Sequence, residues 1–263
     1  MKKLLFLAVA ASCATLTPIL SRAQFLVNEN FDGYADQAAF VAAWPAVGAT
    51  PSGALQGTNY VSPSRGVYYG LTAMRNERSF TESGLVSSTT AIKFSFDFFD
   101  YSAAATPYRQ YANLQDGVSP GSSGQLISIG LNNNQTASAN GGNFFMARIL
   151  GYTPTDTGAS SGSYFKLNDN PLLLRTTGWH NLAVTISDVD LKFYVDGSLA
   201  KTVANTFTLR SYDVVRLGSG LTSTTEAAFD NVRIELIQVP EPGVISLAML
   251  GGVALLARRQ LRR

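Results

Sequence analysis

Cysteine occurs once in the 263 residues, at Cys13, and histidine once, at His180. Lys, Arg, Asp and Glu together reach only 14%, against a usual ~25%. These shortages exclude a good deal. A lone cysteine gives no disulfide framework, and a lone histidine gives no His cluster for zinc. Low charge density speaks against ion-pair surfaces, long charged coiled coils and charged disordered tails. The formal net charge of +2 invites a polyanion reading, but many of the cations sit at the ends. Lys2, Lys3 and Arg22 lie near the start, and Arg258, Arg259, Arg262 and Arg263 close the chain. The stretch 24–239 keeps 13 basic residues against 17 acidic ones, a net charge of −4. A nucleic-acid partner is disfavoured.

What is present is apolar. Residues of that kind make up 46%, enough for one large core. Lys2-Lys3 followed by the apolar run Leu4–Ala11 has the form of a secretory signal peptide over 1–23. Ser21-Arg22-Ala23 places small residues at −3 and −1 of a cut between Ala23 and Gln24. Cys13 lacks the upstream Leu of a lipoprotein box, and that cut removes it.

At the other end, Val239-Pro240-Glu241-Pro242-Gly243 is a stiff extended spacer. The apolar stretch 244–257 follows it, and then a basic stop made by Arg258, Arg259, Arg262 and Arg263. As a helix the stretch spans about 21 Å. It is a short membrane segment, made feasible by snorkelling arginines and local bilayer thinning. The arginines keep to the cytoplasm and leave the body outside.

This tail resembles the sorting segment of the PEP-CTERM proteins of Gram-negative bacteria, with Gly243 where that family often has Ser or Thr. The resemblance implies export with signal peptidase and exosortase as processing partners. It also implies transient tethering to the inner membrane through 244–257, then residence at the cell surface or in an extracellular polysaccharide (biofilm) matrix.

The body, 24–237, reads as one all-β domain. Ile92, Phe94, Phe96 and Phe98 alternate with period two, as do His180, Leu182, Val184 and Ile186, then Leu191, Phe193 and Val195. Asp196-Gly197 is a hairpin turn into 199–203. Further strands are expected at 25–31, 67–73, 125–131, 143–151, 163–167, 209–217 and 229–236. Asp36 caps one short helix, Gln37–Trp44, which Pro45 ends. Many short strands with polar turns predict a β-sandwich.

Gly178–Thr185, Leu191–Gly197, Arg216-Leu217-Gly218 and Phe229–Ile234 resemble the laminin-G/concanavalin-like family, as does the opening Glu29–Tyr34. The resemblance implies a jelly-roll sandwich, a fold shared by lectins, adhesins and glycosidases.

No catalytic residue emerges. Glycosidases of this fold carry carboxylates in a Glu-x-Asp-x-x-Glu pattern, which the body's Glu29, Glu77, Glu82, Glu226 and Glu235 never form. His180 sits on an apolar face and reads as a hydrogen-bonded structural residue. Asp188 and Asp190 read as turn residues. Phe229 and Val232 are three apart and cannot share a face of a regular strand, so a bulge is expected at Asp230-Asn231. If the first and last strands are neighbours, Asp32 and Asp230 come close enough to hold a structural Ca²⁺; alternatively both bond backbone N–H groups. Tyr101, Tyr108, Arg109 and Tyr111 lie in a polar stretch after the Phe-rich strand. They are candidates for stacking on sugar rings, or for folding over the sandwich edge.

The function expected is a non-catalytic surface or matrix module with affinity for polysaccharide. The rival classes are a glycan-active enzyme and a purely structural or adhesive protein.

Overall fold

A strand that alternates apolar and polar residues can bury only one face, so it needs a second sheet to cover it. The computed structural model shows that arrangement. It describes residues 24–102, 109–117, 124–132, 143–150, 163–206, 211–222 and 224–239. Residues 1–23, where a signal peptide is expected, Tyr108, Pro240-Glu241-Pro242, the apolar run 244–257 and the terminal arginines lie outside the described residues. Among the described residues no helix is long and apolar enough to cross a membrane.

The elements run β1 (Gln24–Glu29), α1 (Gln37–Ala43), β2 (Ala54–Gln56), β3 (Gly66–Tyr69), β4 (Asn76–Ser79), β5 (Thr90–Asp100), β6 (Gln110–Gln115) and β7 (Leu126–Leu131). They continue with β8 (Met146–Leu150), β9 (Ser163–Lys166), β10 (Gly178–Ile186), β11 (Asp190–Val195), β12 (Ser198–Ala204), β13 (Val214–Leu217) and β14 (Ala227–Gln238). Two antiparallel sheets result, an all-β jelly-roll sandwich. The larger has the order β12-β11-β10-β5-β14-β3-β2, with β1 also paired to β14. The smaller has the order β4-β13-β6-β7-β8-β9.

The core lies where the two inner faces meet. Ile92, Phe94, Phe96 and Phe98 of β5 and Leu182, Val184 and Ile186 of β10 supply one side. Ala112, Leu114, Ile127, Ile129, Ala147, Ile149, Val215 and Leu217 supply the other. Phe98 packs edge-on against Phe229 from its own sheet (5.3 Å) and Phe145 from the opposite layer (5.9 Å). Edge-to-face contacts of this kind suit the ring quadrupole.

The expected helix forms, with Asp36 accepting from the Ala39 N–H at 2.9 Å and Phe40 and Trp44 buried. The expected bulge also forms. The β5–β14 register slips between Asp230 and Arg233, Asn231 has φ +47°, and Phe229 and Val232 both point inward.

Three strands were not legible as strands: β2, β4 and β6. Others are shorter than expected: the 25–31 stretch is strand only to Glu29, the 67–73 stretch only to Tyr69 and the 143–151 stretch only from Met146, while 211–213 precede the strand Val214–Leu217.

Candidate functional site

The polar side chains of a sandwich collect on its two outer faces and at its loops. The loop between β2 and β3 is held from both ends of the chain. Asp32 Oδ1 accepts from the Ser64 N–H (3.0 Å), Ser64 Oγ (2.9 Å) and the Arg65 N–H (2.9 Å). Asp230 Oδ2 accepts from the Val61 N–H (2.7 Å), the Ser62 N–H (2.9 Å) and Ser62 Oγ (3.0 Å), while its Oδ1 accepts from the Asn231 N–H (2.7 Å). Burial raises the Asp230 carboxyl above its usual range, against the opposing pull of these N–H groups. The two carboxylates thus fasten one loop through its backbone. Among the described residues no group of three or more His, Cys, Asp or Glu stands together as a metal set.

His180 is buried at 8% exposure and tied on both nitrogens. Nδ1 lies 2.9 Å from Asp196 Oδ2, and Nε2 lies 2.9 Å from the Thr176 carbonyl. Asp196 Oδ1 also accepts from the Asn181 N–H, so the imidazole pins the Asp196-Gly197 hairpin, whose two residues both have positive φ. Asp190 opens β11 and contacts Ser187 and Lys192, as a turn residue does.

The aromatic set divides between the two sheets. Tyr101 lies on the outer face of the larger sheet, in a chain of rings: Tyr68, then Tyr101 (5.9 Å), Phe99 (4.7 Å from Tyr101) and Trp179 (5.3 Å from Phe99). Trp179 and Phe99 face each other across β10 and β5. Tyr111 is not in a loop. It sits in β6, buried, beside Gly130 of β7. A Cβ at Gly130, where φ is +143°, would come within 2.5 Å of the Gln110 carbonyl oxygen and 2.8 Å of Tyr111 Cα. Glycine is required under this tyrosine. Arg109, two residues before Tyr111, lies in the same alternation and bridges to Thr224.

Tyr111 belongs to a surface that single-strand reading missed. Strand register aligns Glu77, Arg216, Asn113, Ser128, Arg148 and Tyr164 in one row across all six strands of the smaller sheet. The row crosses about 24 Å at ~4.8 Å per strand. Its members alternate with core residues, so they point away from the core. Arg216 reaches Glu77 Oε2 (2.8 Å) and Gln115 Oε1 (2.6 Å). The Arg148 guanidinium lies 5.4 Å from the centre of the Tyr164 ring.

Arg75 and Lys166 flank the row, and Arg75, Arg148 and Arg109 all act electrostatically on Tyr111. Burial nevertheless raises the Tyr111 phenol. Asn113 Oδ1 is buried without a hydrogen-bond partner, in a residue only 4% exposed. A buried amide oxygen left unmatched is costly, and such groups concentrate where something else binds. A shallow depression of about 310 Å³ on the larger sheet's outer face is lined by Lys93, Asn181, Ala183, Thr185, Tyr194 and Gly197.

Residues 115–236 match the Concanavalin A-like lectin/glucanases superfamily. No curated protein matches the chain. Among solved structures, a cellulose-induced protein superposes with a TM-score of 0.51 at 13% identity, over 79% of this chain and 96% of that one. Domain 4 of an extracellular arabinanase from Geobacillus stearothermophilus, in complex with arabinotriose, gives 0.49 at 12%, over 83% and 95%. An endo-1,3-beta-glucanase from Streptomyces sioyaensis gives 0.47 at 15%, over 83% and 98%. The family match and the first of these structures support the fold, a concanavalin-like sandwich.

Proposed function

We propose that the protein is an exported surface or matrix module that binds polysaccharide without transforming it. The observation that carries this reading is the outward row on the smaller sheet. Its partly exposed members, Glu77 and Arg216 on one side and Arg148 and Tyr164 on the other, flank the buried Asn113 and Ser128, so the row spans more than a single sugar ring. Among the described residues, the row brings one carboxylate to that face, Glu77, and an arginine holds it. Paired acid and base carboxylates, which glycoside hydrolysis needs close together, find no support there. Export rests on the signal-like segment 1–23. Exosortase processing and transient membrane tethering rest on Pro240-Glu241-Pro242, 244–257 and the arginine stop.

The test is a polysaccharide pull-down with the full chain, assayed in parallel for released product. Retention without product fits the module. Product release installs the rival, a glycan-active enzyme on the same fold. Absence of retention across neutral and acidic polymers leaves a structural or adhesive protein.

A further inference from the structure

Apart from the row on the smaller sheet, we infer that the larger sheet's outer face is a second sugar-binding surface, an aromatic row that takes an uncharged polysaccharide chain. Outward positions of an antiparallel sandwich are ordinarily polar. Here the register sets Trp179 of β10, Phe99 of β5, Ala228 of β14 and Tyr68 of β3 in one line across four neighbouring strands. At ~4.8 Å per strand the line is about 14 Å long. Tyr101 links the rings on either side of the small Ala228, 5.9 Å from Tyr68 and 4.7 Å from Phe99. All four rings are partly exposed. Aromatic surface left partly in water inside a polar rim marks a place where something binds.

The rim decides the chemistry of the occupant. Tyr101 Oη accepts from Asn59 Nδ2, and Tyr68 Oη donates to Glu226. Asp97, on the same face of β5 as Phe99, accepts from Asn181 Nδ2 (2.7 Å) and Asn231 Nδ2 (2.8 Å). The charges joined to the rings and their rim are thus carboxylates. β3 and β10 carry no Lys or Arg, while Lys93 lies six residues from Phe99 and Arg233 five from Ala228. A polyanion is repelled there, and an apolar protein face would strip water from the two carboxylates without replacing it. A neutral sugar chain meets both conditions. Its C–H faces stack on the rings, and its hydroxyls donate to the carboxylates and phenol oxygens. Successive ring planes are inclined by 80°, 62° and 78°, so the row is corrugated and suits puckered sugar rings better than one flat ligand. Asn181 also lines the depression of about 310 Å³, so the surface continues past Trp179 along β10.

The experiment titrates the full chain with a soluble neutral glucan, mannan and galactan, and with a polyuronate. The chain has two tryptophans, of which Trp44 is fully buried, so a change in tryptophan emission on binding reports Trp179. At least one neutral polymer should change the emission and bind about tenfold tighter than the polyuronate, with little effect of salt. Affinity electrophoresis follows the variants, and thermal unfolding confirms that each is folded. Trp179→Ala and Tyr101→Ala should each lose about tenfold in affinity. Tyr101→Phe keeps the ring and should stay within about twofold. Arg216→Gln, on the smaller sheet, should leave the emission titration unchanged.

Binding that the ring variants alone weaken supports the inference and removes the smaller-sheet row from the proposed function. Binding that Arg216→Gln weakens and neither ring variant disturbs overturns the inference and leaves that function standing. Ring-dependent binding of the polyuronate at equal affinity overturns the neutral assignment. A dimer of the free protein that Trp179→Ala dissolves assigns the face to a second copy and overturns it as well. Binding to none of the polymers removes both sugar-binding surfaces.

Discussion

Arg175 and Asp100 show how far a single residue can depend on its partner. Both side chains are 1% exposed. The guanidinium makes two bonds to the carboxylate (2.8 and 3.2 Å), one to Asn143 Oδ1 and one to the Ser102 carbonyl. Arg175→Met should cost about 3–5 kcal/mol, because it strands a buried carboxylate. Urea unfolding of the variant checks this, and a loss below about 1 kcal/mol would show that Asp100 finds another partner or water.

Tyr34 gives a second residue-scale outcome. Burial first, then the hydrogen bond and charge of Glu29, raise its phenol from 10.0 to about 12. Tyr68, hydrogen-bonded to Glu226, is also raised to about 12, again chiefly by burial. As pH climbs past 10 the unfolded chain releases these protons first. The stabilising contribution is therefore whole below pH 10 and fades until the folded groups titrate near 12. Denaturant midpoints should fall across that window, and Tyr34→Phe should flatten the fall. At this scale His180 was legible in the sequence, because a lone histidine on an apolar face has to be hydrogen-bonded. Arg175 was not, since nothing in Leu173-Leu174-Arg175 points to an aspartate 75 positions earlier.

At the scale of elements, legibility followed the amplitude of the hydrophobic pattern. β5 and β10 alternate large apolar residues with polar ones over nine or more positions, and both were plain. β6, Gln-Tyr-Ala-Asn-Leu-Gln, alternates too, but its inward residues are Ala112 and Leu114 and its outward Tyr111 is aromatic. The pattern is too shallow to separate from a loop. β4, Asn-Glu-Arg-Ser, has no apolar residue at all and exists because β13 pairs with it. The outward row needed the register of six strands at once, which no single segment carries.

The bulge, by contrast, followed from the three-residue spacing of Phe229 and Val232. It also bears on calcium. With Asp32 and Asp230 committed to N–H and O–H donors of 61–65, unfolding of the full chain should show one midpoint in excess EDTA and in millimolar calcium. A gain near 2.7 kcal/mol at a hundred times the dissociation constant would establish a calcium site there. Its loss in Asp230→Ala would assign it to these residues.

On the scale of the whole molecule, the terminal segments were read from the sequence alone, and mass spectrometry decides them. Protein recovered from its native cells should lack Arg258–Arg263, and deleting 240–263 should redirect it to soluble export. An intact mass that includes Arg263 would defeat the sorting proposal. The fold adds a consequence for load. β1 and β14 are antiparallel neighbours, with Gln24 opposite Leu236, so the first and last strands of the domain begin and end at one corner. β14 is flanked by β5 along one side and by β1 and β3 along the other. A pull between the two ends would peel β1 away a pair at a time, like a zipper, and would need little force. Anchored by the C-terminal end alone and pulled through a ligand on the smaller sheet, β14 would instead be dragged lengthwise against all its neighbours together. One chain end is a weak point and the other a strong mooring.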